Sequence, residues 1–135
     1  MNLKSCRVRD YMAGSLVTFR PETDVLDAIQ TLVKHRISGA PVVNDQGELV
    51  GMLSELDCTR VALNAGYYGD AGGPVSEFMT SNVETVDAQM NIIDLAQKFQ
   101  ESGFRRFPVL EGNRLVGQIS RRDVLRALGE LAIAG

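Results

Sequence analysis

Apolar residues in this chain fall into stripes at helical spacing and into short extended runs, and the same order of patterns occurs twice. Val25, Leu26, Ile29, Leu32 and Val33 share one helical face, and Ile92, Ile93, Leu95, Ala96 and Phe99 repeat that stripe. Asp24 and Asn91 stand where a helix needs a capping side chain, and Pro21 keeps the first helix from extending backwards. Both helices are expected to stop at glycine, near Ile37-Ser38-Gly39 and at Ser102-Gly103. Next comes a hairpin pattern. Pro41-Val42-Val43 meets Leu49-Val50-Gly51-Met52-Leu53 across Asn44-Asp45-Gln46-Gly47, and Pro108-Val109-Leu110 meets Leu115-Val116-Gly117-Gln118-Ile119 across Glu111-Gly112-Asn113. Proline at the first strand position needs no ladder donor, whereas Gly51 and Gly117 inside strands point to close approach by another backbone or by a ligand. A second helix closes each set, marked by Leu56, Val61, Ala62 and Leu63 and by Val124, Leu125, Ala127, Leu128 and Leu131.

Each set is also preceded by two shorter pieces. Leu16-Val17-Thr18-Phe19 and Val83-Glu84-Thr85-Val86 read as extended segments. Before them, Val8-Arg9-Asp10-Tyr11-Met12 and Val75-Ser76-Glu77-Phe78-Met79 read as turns that dock an aromatic and a methionine on the core. The correspondence is regular. Met12 and Met79, Thr18 and Thr85, and Pro41 and Pro108 are each 67 positions apart; past the hairpin turn the offset is 66, as for Ser54 and Ser120 or Asp57 and Asp123. One residue is missing from the second turn, where loops tolerate deletion.

Two copies do not make a stacked array. The pattern predicts an α+β fold of two β-α-β-β-α repeats, residues 8–65 and 75–131, packed with pseudo-twofold symmetry, sheets facing each other and helices outside. A Gly-rich linker is expected over 66–74 and a polar arm over 1–7.

Bulk properties narrow the function. The 135 residues are 44% hydrophobic and 23% charged, as in an ordinary globular domain. A net charge of −3 and the absence of tryptophan argue against nucleic-acid binding. No apolar run has the length of a bilayer span and the start lacks a signal-peptide core, so no membrane contact and a cytoplasmic location are expected. Two cysteines and one histidine make no zinc set, and Cys58, at an apolar helical position, is expected as a buried thiol. His35 falls near a helix end that favours a cation. No nucleophile-base-acid set and no glycine-rich phosphate loop is visible, so the chain is not expected to be an enzyme.

The chemistry-bearing motif is Ser54-x-x-Asp57, repeated as Ser120-x-x-Asp123. Two readings fit. As a capping box, serine accepts from the third helical N–H and the acid reaches back to the serine amide. As a ligand site, the helix start offers N–H groups and a dipole end to a phosphate, serine adds a hydroxyl, and aspartate accepts from two sugar hydroxyls. One structure can do both.

The repeated strings Ile37-Ser38-Gly39-Ala40-Pro41-Val42-Val43 with Gly51-Met52-Leu53-Ser54-Glu55-Leu56-Asp57, and Phe107-Pro108-Val109 with Gly117-Gln118-Ile119-Ser120-Arg121-Arg122-Asp123, resemble the cystathionine-β-synthase (CBS) domain. The tandem resembles a CBS pair, or Bateman module, over nearly the whole chain. The resemblance implies a regulatory module that binds AMP, ADP, ATP or S-adenosylmethionine in clefts between the repeats, pairs into a homodimer and controls an unidentified regulated protein. It implies ribose binding by Asp57 and Asp123 beside Ser54 and Ser120. Adenine is then expected against Ile37, Ser38, Ala40 and Pro41 in the first repeat and Phe104, Phe107 and Pro108 in the second, with Thr18 and Thr85 as polar contacts. Arg105, Arg106, Arg121 and Arg122 crowd the second repeat, where the first has His35, Arg36 and Glu55, so phosphates are expected on that side. The alternative is a ligand-independent assembly module with vestigial pockets.

Overall fold

The computed structural model describes residues 3–70 and 72–134. Its helices are α1 (Val8–Tyr11), α2 (Val25–His35), α3 (Glu55–Tyr68), α4 (Ile92–Ser102) and α5 (Arg121–Ala134). Its strands are β1 (Gly39–Val43), β2 (Leu49–Ser54), β3 (Val86–Asp87), β4 (Arg106–Glu111) and β5 (Arg114–Ser120). Short 3-10 turns occupy Leu3–Ser5 and Val75–Glu77.

Strands β1 and β2 form an antiparallel pair, as do β4 and β5, and β3 joins β4 in parallel with Val86 opposite Val109. The first repeat makes the same parallel contact at one residue. Phe19 donates to the Pro41 carbonyl at 2.9 Å and accepts from the Val43 amide at 2.8 Å. The expected β-α-β-β-α order is therefore present in both copies.

The caps are the ones the sequence names. The Asp24 side chain accepts from the Leu26 amide, and Asn91 accepts from Asp94. At its far end α4 stops on Gly103 in the left-handed region, as expected. Helix α2 stops earlier than Gly39. Arg36 takes the left-handed conformation (φ 55°), and the amides of Arg36 and Ile37 close on Val33 and Leu32. Two backbone hydrogen bonds hold a non-glycine residue there at a cost of about 1 kcal/mol.

Other departures concern the ends of the repeats. The expected linker begins late, because α3 runs through Gly66, Tyr67 and Tyr68 and is capped by Gly69 at φ 69°; Ala71 lies outside the described residues. The expected arm is docked instead. Leu3 packs on the core, Cys6 is 3% exposed, and Arg7 bridges to Asn91. Cys6 is thus the buried thiol, while Cys58 is half-buried.

The chain forms two compact units whose limits are not those of the repeats. One comprises Val17–Val83; the other comprises the described residues up to Leu16 together with those from Glu84 onward. Each unit takes the opening turn of the other repeat. In the Val17–Val83 unit, Val75 and Phe78 join a core of Phe19, Val25, Ala28, Leu32, Ala40, Val42, Leu53 and Val61. In its counterpart, Val8 and Tyr11 join Val86, Ile92, Leu95, Phe99, Phe107, Val109, Ile119 and Ala127.

The strand glycines explain how these turns seat. A Cβ on Gly117 would lie 2.7 Å from the Ala13 carbonyl and 2.7 Å from Met12 Sδ. A Cβ on Gly51 would meet Met79 Sδ at 2.6 Å and the Thr80 carbonyl at 3.0 Å. Glycine lets the two backbones close into paired hydrogen bonds, Ala13 with Gln118 (2.9 and 3.0 Å) and Thr80 with Met52 (both 2.9 Å). Of the two approaches that a strand glycine suggests, the backbone one is observed at both.

Candidate ligand-binding site

Both Ser-x-x-Asp motifs sit where a β-strand ends and a long helix starts, so the serine is extended and the acid is in the first turn. In the first, Asp57 N donates to Ser54 Oγ at 3.1 Å and Ser54 N donates to Asp57 Oδ2 at 2.9 Å. In the second, Ser120 N donates to Asp123 Oδ2 at 2.8 Å, and Asp123 N donates to Ser120 Oγ at 3.3 Å. The capping reading is met in both copies. It also fixes each carboxylate in direction while leaving acceptor capacity on its outer oxygen.

What meets that outer oxygen differs. Thr80 Oγ1 donates to Asp57 Oδ1 at 3.2 Å. Asp123 Oδ1 instead faces Arg126 Nη2 at 3.3 Å, an ion pair with Asp123 22% and Arg126 50% exposed. Arg126 also donates to the Tyr11 carbonyl at 2.8 Å and lies 5.2 Å from the Tyr11 ring centre. Arg60, its counterpart, donates to the Phe78 carbonyl and lies 5.6 Å from that ring. These arginines fasten the opening turns from the first or second turn of α3 and α5. The Tyr11 hydroxyl donates to Glu130 at 2.8 Å, and that bond, with burial and the Glu130 charge, pushes its pKa up to about 12.

A hollow of about 500 Å³ gathers Ser120, Arg122 and Asp123 with Leu125 and Arg126. Arg121 points elsewhere, into a hollow between α4 and α5. Its Nε donates to the Phe104 carbonyl and its Nη2 to the Gly103 carbonyl, both at 2.8 Å. Arg105 and Arg106 are exposed, and Phe104 is half-exposed with its ring edge-on to Phe107 at 5.7 Å. Phe107 and Ala40, expected to wall the base, are each 1% exposed, because strand alternation turns them with Val109 and Val42 into the two cores. Pro41 and Pro108, on the opposite faces of those strands, are also buried.

Ile37 and Ser38 line a third hollow, an apolar groove of about 770 Å³ between α2 and α3 that includes Glu55 and Cys58 but neither Ser54 nor Asp57. Burial, with Asp57 and Glu55 nearby, raises the Cys58 pKa. Thr18 is exposed; Thr85 is half-buried, and its carbonyl accepts from Lys98 Nζ at 2.8 Å. Ser120, Arg122 and Asp123 thus come together, whereas the expected first-repeat set divides between the groove, the core and the α3 start.

Five residues at these sites escaped the sequence reading. Arg60 and Arg126 stand at matched positions, 66 apart, and carry no motif of their own. Thr80 and Ala13 differ at matched positions, a contrast visible by laying one repeat on the other. Gln118, on the strand face shared with Ser120, has a buried amide nitrogen without a hydrogen-bond partner, and the first repeat carries Met52 there.

Comparison with known proteins agrees with the repeat. The CBS domain pattern matches residues 8–64 and 75–130. The chain is 31% identical over 122 residues to the uncharacterized protein MJ1225 of Methanocaldococcus jannaschii, matching 90% of this chain but spanning only 42% of that relative's length. The structure of CBSX2 in complex with AMP is similar at TM-score 0.80 and 30% identity, covering 95% of this chain and 99% of the other. The CBS domain pair of protein MJ0100, in complex with 5′-methylthioadenosine and S-adenosyl-L-methionine, is similar at TM-score 0.70 and 26% identity, covering 92% and 96%.

Proposed function

The chain belongs to the CBS domain family, and from that premise we propose that it is a regulatory module that senses an adenosine nucleotide or a related adenosyl compound. The observation that carries this is the hollow in which Ser120, Arg122 and Asp123 converge. A carboxylate held by its own cap suits the paired hydroxyls of a ribose. The helix start and the planar donors of Arg122 suit a phosphate. In the first repeat Ser54 and Asp57 hold the matching positions, while Ile37 and Ser38 line the separate α2–α3 groove. AMP, ADP, ATP and S-adenosylmethionine are the candidate ligands. Among the described residues no helix is long and apolar enough to cross a membrane.

The signal passes to a regulated protein by binding one arrangement of the module better than another. The partner surface in this reading is helical. Leu26 and Val33 on α2 and Leu125 and Leu128 on α5 are 40%, 73%, 62% and 43% exposed, and a second copy of the chain would cover such residues in a homodimer. The apolar α2–α3 groove also favours a second reading, a ligand-independent assembly module.

Thermal denaturation with AMP, ADP, ATP or S-adenosylmethionine separates the two. A ligand at a hundred times its dissociation constant adds about 2.7 kcal/mol of stability. Stabilisation by one or more of them, lost in Asp123→Asn and Asp57→Asn together, supports the sensor. No response to any, with a dimer by light scattering, supports the assembly module.

A further inference from the structure

The two repeats match closely enough that their differences can be read position by position, and the one that bears on a sugar hydroxyl lies at the outer oxygens of the two carboxylates. Thr80 and Ala13 follow the docked methionines Met79 and Met12, and each pairs through its backbone with the matching strand residue, Met52 or Gln118. Only Thr80 carries a hydroxyl. It donates to both oxygens of Asp57, at 3.2 and 3.5 Å, while the Ser54 amide donates to Oδ2 at 2.9 Å. The outer face of Asp57 therefore already holds an alcohol donor, the same chemical group that a ribose would bring. Ala13 brings none to Asp123, whose Oδ2 takes the amide and hydroxyl of Ser120 (2.8 and 3.1 Å) and whose outer oxygen faces the exposed Arg126 guanidinium at 3.3 Å, with no alcohol on it. Such a surface ion pair contributes little and leaves the carboxylate free to accept from a sugar.

Neighbouring positions reinforce the contrast. Arg122 is matched by Leu56 and Arg121 by Glu55, so the first repeat has an apolar side chain and an acid where the second has two cations. Gln118, with its unspent buried amide on the Ser120 face, is matched by Met52, which has no strong donor.

We infer that Thr80 occupies the first repeat's sugar-binding carboxylate from within, so that the chain takes a single phosphorylated adenosyl ligand, at the Ser120–Asp123 turn. The inference rests on the adenosyl reading above and adds stoichiometry, site and a specificity-determining residue to it. Thr80 is itself exposed and keeps its backbone bonds to Met52 whatever its side chain, so the hydroxyl can be removed without disturbing the docked turn.

Isothermal titration calorimetry with AMP and with adenosine tests this on the full chain. The wild-type protein should bind one AMP, and adenosine roughly tenfold more weakly, because only AMP engages the arginine donor. Asp123→Asn, in which the amide oxygen still caps α5, should lose that event, and Asp57→Asn should not. Thr80→Ala should add a second event that does not distinguish AMP from adenosine, and Thr80→Ser should not add it. Ala13→Thr should weaken the wild-type event by roughly tenfold, the effect of one hydroxyl bond to a charged acceptor. Two AMP bound to the wild-type chain, or one bound AMP lost with Asp57→Asn, overturns the inference and leaves the adenosyl reading standing. A Thr80→Ala variant that still binds one AMP also overturns it. No binding of AMP or adenosine by any variant overturns both.

Discussion

Replacing Gly117 by alanine should be among the most damaging single-methyl additions in this chain, and its cost can be worked out from its surroundings. The new Cβ would lie 2.7 Å from the Ala13 carbonyl oxygen, 2.7 Å from Met12 Sδ and 3.0 Å from Met12 Cγ. A thioether can swing away, but a backbone carbonyl held by the Gln118 amide at 3.0 Å cannot do so without breaking that bond. Overpacking of this kind costs about 1–3 kcal/mol. Lengthening the two Ala13–Gln118 hydrogen bonds adds about 0.5–1.5 kcal/mol each. Against this, removing a glycine from a strand interior gains roughly 0.5–1 kcal/mol. The net is a loss of about 1–5 kcal/mol, a large share of the roughly 5–15 kcal/mol that holds a domain together. Gly51→Ala should cost about 1 kcal/mol, because its nearest neighbour is the flexible Met79 sulfur at 2.6 Å and its backbone neighbour, the Thr80 carbonyl, stands off at 3.0 Å. Urea denaturation of the two variants measures the difference. A double-mutant cycle sharpens it: Met79→Ala should relieve part of the Gly51→Ala penalty, and Met12→Ala should leave most of the Gly117→Ala penalty in place. Equal losses at the two glycines, or a Gly117→Ala variant as stable as the wild type, would refute the reasoning.

Two further outcomes follow from Arg126 and Tyr11. Arg126→Ala leaves the Tyr11 carbonyl without its 2.8 Å donor and the ring without its cation, so stability to urea should fall by roughly 1–3 kcal/mol; Arg126→Lys should recover only part, since a single ammonium cannot reproduce the planar fork. The Tyr11 pKa is raised from 10.0 to about 12, chiefly by its hydrogen bond to Glu130. The unfolded tyrosine therefore ionises first, and the contribution of Tyr11, full below pH 10, should fade as pH rises from 10 to 12. Comparing the stability–pH curves of the wild type and Tyr11→Phe isolates that loss, which the variant should not show.

Much of the fold could be read from the chain because each element carries a local physical instruction. Asp24 and Asn91 cap their helices with their own side chains, and that preference needs no tertiary context. Gly51 and Gly117 announced close approach because a strand interior otherwise disfavours glycine. The stop of α2 was not legible, since Arg36 is held left-handed only by carbonyls that the finished helix presents. The helical state of Gly66 to Tyr68 was hidden by glycine content, which weakens a helix without forbidding it. At the candidate site, Ser120, Arg122 and Asp123 were legible because one helical turn fixes their spacing. Arg121 was not, for its guanidinium is claimed by the Gly103 and Phe104 carbonyls, groups brought to it by the end of another helix.

The repeats and the folding units are out of step, and this bears on what the duplication does. The units divide between Leu16 and Val17 and between Val83 and Glu84, two cuts that stand 67 positions apart, the same spacing as the repeat. Each unit is therefore complete only with a turn encoded by the other copy. Val8 and Tyr11 are 0% and 8% exposed in the core they join, as Val75 and Phe78 are 0% and 4% in theirs. A fragment of residues 1–70, one whole repeat by sequence, would expose Val8 and Tyr11 and would lack the two side chains that close its own core. Losing a buried valine and a buried phenylalanine together removes roughly 4–8 kcal/mol, enough to unfold a piece of this size. A fragment of residues 17–83 cuts across both repeats yet retains every buried residue of its core in one continuous chain. Although a domain of that length buries only about 60% of its unfolded surface, it should show a cooperative urea transition by circular dichroism where the 1–70 fragment shows none. If 1–70 folds as stably as 17–83, the opening turns are surface decoration, and the argument that couples the two copies through them fails.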